Sequence, residues 1–144
     1  MKATKFFKPY EGENCNLKAT GKGVYIIKKG DSVFYVGMSY NDVKRTMYRH
    51  FQKWTDRRSA YTKKNQLYER VTYEGQNRNL FRVKVIFCKT DKEVTILEQL
   101  LIKKLRPKDN TLKLANYSAA DLQKVVETFN NATPWQSITE ETPF

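Results

Sequence analysis

Residues 23–37 read GVYIIKKGDSVFYVG, and this stretch decides the expected fold. Two short runs of β-branched and aromatic residues flank a polar KKGDS segment, which is typical of a β-hairpin, and Gly30 can take the positive φ that a tight turn requires. A turn centred on Gly30 pairs Tyr25 with Tyr35. Because side chains alternate along a strand, both phenols then lie on one face of the sheet with Gly23 and Gly37. The opposite face carries Val24, Ile26, Phe34 and Val36.

A helix is predicted directly after the hairpin. Asn41 is a suitable N-cap, and a helix that runs to about residue 54 has a buried stripe at a spacing of about 100° per residue. Arg45 and Arg49 lie one turn apart on the opposite face, where a solvated cationic surface is the ordinary interpretation. His50 lies at the edge of the stripe, and as the only histidine it excludes metal sites built from several histidines. The stripe consists of Val43, Met47, Phe51 and Trp54.

Three further elements complete the predicted domain. Residues 80–88 alternate as a strand with one solvated face. Thr90 and Glu93 form a capping box that opens a helix through residue 105, and residues 118–131 form another helix with four core positions. We therefore expect an α+β fold, in which a small antiparallel β-sheet of about three strands is flanked by helices. The domain spans residues 22–131, between an N-terminal arm at 1–21 and a flexible tail at 132–144. The core positions of the last helix are Leu122, Val125, Val126 and Phe129.

Glu98 is unusual within the second of these helices. The apolar face of that helix contains Leu101 and Leu105, and Glu98 falls about 20° from Leu105, inside the apolar stripe. An ionised carboxylate that faces a core is costly unless a cation or hydrogen-bond donors meet it. Glu98 is therefore a metal ligand at the floor of a cleft, the partner of a Lys or Arg side chain, or a residue that a rotated helix places at the rim of the core.

The charge of the chain indicates a polyanionic partner. The 144 residues include 27 Lys and Arg against 15 Asp and Glu, a net charge of +12. Residues 44–70 concentrate nine of the basic side chains among interleaved aromatic residues, and such surfaces neutralise phosphates and stack on bases. A solvated loop is the alternative. Besides Arg45 and Arg49, the basic residues of this segment are Lys44, Lys53, Arg57, Arg58, Lys63, Lys64 and Arg70.

Length, cysteine usage and hydropathy exclude several classes of protein. A chain of 144 residues with 40% hydrophobic residues suits one globular domain. Cys15 and Cys88 lie far apart and have no metal-ligand spacing, which argues against a disulfide scaffold or a cysteine-rich zinc site. The first residues lack the apolar core of a signal peptide, and no apolar run approaches membrane-spanning length. We therefore expect a soluble, cytoplasmic protein with no membrane partner.

The ordered motifs resemble the GIY-YIG nuclease family. The tripeptides at 23–25 and 35–37 are followed by Arg45 and His50 on a helix, Glu98 on a later helix and Asn110 after it. The resemblance spans about residues 22–112 and implies a small sheet flanked by helices, one divalent cation and hydrolysis of a phosphodiester in DNA. It assigns the metal, Mg²⁺ or Mn²⁺, to Glu98, and it makes Gly23, Gly37 and Asn110 motif residues.

The resemblance also implies catalytic roles. Tyr25 would help to deprotonate the attacking water, and Tyr35 would position water or phosphate. The family places its histidine or tyrosine four residues after the arginine, whereas His50 follows Arg45 by five, so either Arg45 or Arg49 would contact the phosphate. His50 would orient the nucleophile or support Tyr25. A non-catalytic nucleic-acid-binding module on the same scaffold is the competing interpretation.

Overall fold

The computed structural model describes residues 1–9, 21–52, 71–110 and 117–134. The described residues form five strands, three α-helices and two short 3-10 turns, Arg49–Phe51 and Arg78–Leu80. The α+β class is confirmed. In chain order the elements are β1 (Lys2–Ala3), β2 (Gly23–Lys29), β3 (Ser32–Ser39), α1 (Val43–Tyr48), β4 (Phe81–Phe87), α2 (Asp91–Leu105), α3 (Ala119–Asn130) and β5 (Thr133–Pro134).

The sheet is mixed, with the strand order β3-β2-β4-β1-β5. The three long strands β3, β2 and β4 are antiparallel neighbours, as expected. The prediction of a purely antiparallel sheet of about three strands was incomplete, because β1 adds to the free side of β4 and β5 runs parallel to β1. Each of these two strands has only two residues, which is too short for a recognisable alternation.

Both added strands lie near the ends of the described chain. Lys2 pairs with Phe87 and with Thr133, so the start of the predicted arm and the first residues of the predicted tail meet at one edge of the sheet. Thr4 continues the contact, since its backbone N–H donates to the Val85 carbonyl and its hydroxyl accepts from the Val85 N–H. Residues 10–20 of the arm and 135–144 of the tail lie outside the described residues.

The hairpin turns at Gly30 but in a different register from the predicted one. Gly30 has a φ of +58°, and Lys29 pairs with Ser32 across a two-residue turn. Tyr25 pairs with Gly37, and Ile27 pairs with Tyr35, so the predicted Tyr25–Tyr35 pair was wrong. The two-residue turn Gly30–Asp31 shifts the register by one residue from a turn centred on Gly30, and a β-bulge then inserts one further, unpaired residue into β3.

Phe34 is the bulged residue, and its side chain lies on the face opposite to the predicted one. The pairs Ile27–Tyr35 and Lys28–Val33 leave Phe34 without a partner in β2. Its ring contacts Tyr73 and Phe81, with centroids 6.2 and 6.5 Å away, on the α1 side of the sheet. The two phenols do share one face, as predicted, and Val24, Ile26 and Val36 pack in the core on the other.

Each face of the sheet has its own hydrophobic core. On one face, α1 and the 3-10 turn that follows it pack over the three long strands with Val43, Met47 and Phe51 fully buried, which confirms the described part of the predicted stripe. Fully burying such a side chain contributes roughly 1.5–3 kcal/mol. The other face is covered by α2 and α3. Within α3, Val125 is buried, but Val126 is 42% exposed, so its predicted core position was wrong.

The first helix is shorter than predicted. Asp42, rather than Asn41, is its N-cap, and the Asp42 carboxylate accepts a hydrogen bond from the Arg45 N–H. The α-helical turn ends at Tyr48 and tightens into the 3-10 turn, after which Gln52 is extended. The predicted continuation to about residue 54 was therefore wrong, and Trp54 itself lies outside the described residues. The capping box of α2, by contrast, is present as predicted at Thr90 and Glu93.

Candidate active site

Two glycines create the space in which the first phenol lies. A Cβ at Gly37 would overlap the Oη and Cζ atoms of Tyr25 and would lie 2.9 Å from Cε1. A Cβ at Gly23 would overlap the backbone carbonyl of Ile86 on β4. Gly23 therefore permits close pairing of β2 with β4, and Gly37 lets the Tyr25 ring lie across β3.

Tyr25 and His50 form a buried hydrogen-bonded pair. The Tyr25 hydroxyl lies 2.6 Å from His50 Nε2, and these residues are 2% and 5% exposed. On the other side of the imidazole, Nδ1 lies 2.8 Å from the backbone carbonyl of Val71. A carbonyl only accepts, so Nδ1 carries a proton. In the neutral imidazole Nε2 is then an acceptor, and the Tyr25 hydroxyl donates to it.

Tyr35 completes an aromatic cluster around this pair. Its ring centroid lies 4.7 Å from that of His50 and 6.1 Å from that of Tyr25. The rings are tilted rather than stacked, and Tyr35 is half-buried while Tyr25 is enclosed. The structure therefore brings together three of the predicted site residues, which come from β2, β3 and the 3-10 turn.

The two candidate arginines precede His50 in sequence. Arg45 is exposed on α1, and Arg49, the residue directly before His50, is half-buried. The 3-10 turn shifts the positions after Tyr48 away from the α-helical phase, since it has about 3.0 rather than 3.6 residues per turn. The structure places His50 against Tyr25 although it follows Arg45 by five residues. Both arginines remain candidates for a phosphate contact.

Glu98 is buried on α2, as its position in the apolar stripe predicted. It is 6% exposed, and α2 packs against β3. Thr95, three residues earlier, shares a hydrogen bond of 2.5 Å with the hydroxyl of Tyr40, which directly follows β3. This bond holds the Thr95–Glu98 side of α2 against the junction between β3 and α1.

The single buried carboxylate of Glu98 suits a hard cation that keeps its water. The described residues contain no group of three or more His, Cys, Asp or Glu side chains that could hold a metal ion. Mg²⁺ is commonly bound by only one or two carboxylates and retains several waters, whereas structural zinc needs four protein ligands. A single buried carboxylate therefore fits the divalent cation that the sequence resemblance implies.

Asn110 holds the edge of the sheet beside Gly37. Its side-chain amide donates to the Val36 carbonyl at 2.8 Å, and its Oδ1 accepts from the Val36 N–H at 2.7 Å. Asn110 thus acts as a strand partner for β3, and the N–H groups of Lys108 and Asp109 donate to carbonyls of the same strand. The predicted motif asparagine is therefore structural in this geometry.

Tyr73 is a buried neighbour of His50 that sequence reasoning missed. It is 3% exposed, its N–H donates to the His50 carbonyl at 2.7 Å, and its hydroxyl donates to Asp109 at 2.7 Å. Burial, together with the hydrogen bond to the Asp109 carboxylate, raises the pKa of Tyr73 well above its usual range. It therefore remains protonated at neutral pH. No periodic pattern surrounds it, so the sequence carried no indication of its burial.

Several other predicted residues lie elsewhere. Lys44 is half-buried on α1. Burial raises the pKa of Cys88 to about 12, with a smaller contribution from Glu93, so this thiol is not a nucleophile at neutral pH. Among the described residues, no helix is long and apolar enough to cross a membrane. The remaining predicted DNA-binding residues, which lie outside the described residues, are Lys53, Arg57, Arg58, Lys63, Lys64 and Arg70.

Comparison with known proteins identifies the family of this chain. Two solved structures similar to the chain are tyrosine-to-phenylalanine point mutants of the GIY-YIG N-terminal endonuclease domain of UvrC from Thermotoga maritima, each bound to its catalytic divalent cation. They share 24% and 23% sequence identity with the chain, cover 69% of it and 93% of their own length, and have TM-scores of 0.46. No curated protein matches the chain. The model of the GIY-YIG catalytic domain matches residues 21–113, about two thirds of the sequence. The chain therefore belongs to the GIY-YIG nuclease family.

Proposed function

We propose that this protein is a metal-dependent endonuclease that hydrolyses phosphodiester bonds in DNA, with residues 22–131 as its catalytic unit. The observation that carries the proposal is the hydrogen-bonded chain from Tyr25 through His50 to the Val71 carbonyl. Any buried phenol needs a hydrogen-bond partner, as Tyr73 has in Asp109. A phenol that must lose its proton during a reaction needs an acceptor held in the correct tautomer, and His50 supplies one.

The proton steps follow from this chain of bonds. Tyr25 transfers its hydroxyl proton to His50 Nε2, and the resulting phenolate accepts a proton from the attacking water. The imidazolium that forms on His50 keeps its Nδ1–H on the Val71 carbonyl, so the ring does not need to turn. The hydroxide then attacks phosphorus, and the bond to the 3′-oxygen breaks; the 3′-alkoxide takes a proton from solvent, and the His50 imidazolium returns its proton to solvent. Positioned acid–base groups of this kind contribute typically 10²–10⁴-fold in rate.

Charge stabilisation comes from the arginines and Tyr35. The pentavalent phosphorane carries one more negative charge than the substrate, and a guanidinium from Arg45 or Arg49 would neutralise it. The half-buried Tyr35 hydroxyl lies on the same face as Tyr25 and would position the water or a phosphate oxygen.

Glu98 would hold Mg²⁺ or Mn²⁺. When bound, such an ion supplies a Lewis acid that neutralises the phosphate and stabilises the departing oxygen. The protein's own contribution is the buried Glu98 carboxylate on α2. The hydrogen bond between Thr95 and Tyr40 holds this helix against the β3–α1 junction. In this role the bound cation would compensate for the burial of the Glu98 carboxylate.

A plasmid-nicking assay tests the proposal. Supercoiled plasmid should be converted to open-circle or linear DNA with Mg²⁺ or Mn²⁺, and conversion should stop with EDTA. DNA retardation in a gel without any nicking would instead indicate the non-catalytic binding module. If the protein neither retards nor nicks the plasmid, both interpretations are contradicted.

A further inference from the structure

A second basic surface lies at the turn end of the β2–β3 hairpin, away from the Tyr25–His50 pair. A cleft of about 680 Å³ opens there between the hairpin, the start of β4 and the segment after α2. We call this cleft the hairpin-end cleft. Four cationic side chains line it, and Asp31 supplies the single carboxylate among the described residues of its lining. The cations are Lys28, Lys29, Arg82 and Lys108.

These cations are available to an anion. Within the part of the chain that the structure describes, none of the four forms an ion pair with a carboxylate. Arg82 donates to the backbone carbonyls of Asn79 and Phe81, and Lys29 donates to the neutral amide of Gln76. The cleft therefore keeps a net positive charge, and low-dielectric walls concentrate the field of such a group of charges.

Aromatic rings hold two of the ammonium groups in place. Lys108 Nζ lies 5.0 Å from the Phe34 ring centroid, and Lys29 Nζ lies 6.0 Å from Phe34 and 5.6 Å from Phe81. Cation–π contacts at these distances reduce the conformational freedom of a lysine without neutralising it. Phe34 reaches this position because it is the bulged residue of β3.

The hairpin-end cleft lies within reach of DNA held at Tyr25. Lys29 follows Tyr25 by four residues on the same strand and face, a separation of about 13 Å at about 3.3 Å per residue. Each DNA strand carries one phosphate per about 3.4 Å of helix axis, so a duplex held at Tyr25 presents further phosphates at this distance. We propose that the hairpin-end cleft binds the sugar–phosphate backbone of duplex DNA next to the bond that is cut. This inference rests on the proposed function, which places the reacting phosphate at Tyr25.

The distance also determines what the cleft would change. At physiological ionic strength the Debye length is about 8 Å, so charges about 13 Å away act weakly on the scissile phosphate. The cleft should therefore tighten DNA binding and lower KM while it leaves kcat at saturating DNA unchanged.

The test compares Lys29→Gln/Lys108→Gln with a matched control, Lys103→Gln/Lys104→Gln, which removes two exposed lysines from α2. Binding of a 30-base-pair duplex is measured as a function of salt concentration. Two lost phosphate contacts should make the slope of log Kobs against log salt less negative by about 1.8 in the cleft variant. The control should keep the wild-type slope. Equal slopes in all three proteins would overturn the inference.

A second measurement on the unmodified protein is independent of how the variants fold. Lysines are acetylated with and without the same duplex and quantified by mass spectrometry. DNA should protect Lys29 and Lys108 but leave Lys103 and Lys104 reactive, and equal reactivity of all four with DNA bound would reject the cleft. If Lys29 and Lys108 are protected but wild-type protein nicks no plasmid, the cleft is supported and the proposed catalytic function fails.

Discussion

Gly37→Ala should inactivate the site by displacing the phenol that the proposed mechanism uses. The new Cβ would overlap Tyr25 Oη and Cζ, whereas ordinary van der Waals contact begins near 3.4 Å. The ring must therefore move by about 1 Å, and a misplacement of this size in an active site costs about 10²-fold in rate. The Tyr25–His50 bond of 2.6 Å cannot survive such a shift unchanged. Overpacking of this kind also destabilises the fold by about 1–3 kcal/mol.

The assay is single-turnover cleavage of plasmid DNA with saturating Mg²⁺, combined with thermal unfolding of each protein. Gly75→Ala is the matched control. Gly75 has a φ of +85° and open space around its Cβ position, so alanine there causes backbone strain without touching the phenol. Gly37→Ala should lose about 10²-fold in rate, and Gly75→Ala should lose stability alone. A folded Gly37→Ala protein that cleaves at the wild-type rate would refute the assignment of Tyr25.

Three further predictions address the metal, the arginine and the sheet edge. Glu98→Gln should abolish cleavage but retain DNA binding in a gel-shift assay, because it removes a buried negative charge; normal cleavage with a persistent metal requirement would return Glu98 to a structural role. Of Arg45→Ala and Arg49→Ala, the variant that loses the phosphate contact should slow single-turnover cleavage by roughly 10²–10³, and the other should mainly weaken binding. Equal, small effects would exclude both arginines. Asn110→Ala removes two hydrogen bonds to the Val36 backbone, so urea unfolding should show a loss of roughly 1–3 kcal/mol, and an unchanged midpoint would contradict the edge-strand role.

Some of the fold could be predicted because local chemistry determines it. The capping box at Thr90 and Glu93 fixes where α2 begins, and from that start the helical phase alone places Glu98 in the buried stripe. Gly30 fixes the position of the hairpin turn, because its positive φ suits few other residues. At these positions the local structure depends on residues that are neighbours in sequence, so the sequence alone predicts it.

Other features depend on contacts between distant residues and could not be predicted. The bulge at Phe34 is stabilised by packing against Tyr73 and Phe81, more than 35 residues away in sequence, and alternation alone does not reveal it. The burial of Tyr73 and the tautomer of His50 depend on an irregular segment that supplies the Val71 carbonyl. Support of Tyr25 by His50 was one of the two expected roles of His50, but the geometry of their bond could not be predicted.

The central claim is that Tyr25 takes part in proton transfer with His50, and single-turnover cleavage by Tyr25→Phe beside Tyr73→Phe tests it most directly. Each substitution removes one buried, hydrogen-bonded hydroxyl, from His50 in the first variant and from Asp109 in the second. Both should therefore lose a similar roughly 1–3 kcal/mol of stability. Tyr25→Phe should cleave about 10²–10⁴-fold more slowly than wild type, and Tyr73→Phe should remain within a few-fold of it. Equal cleavage rates for the two folded variants would contradict the account.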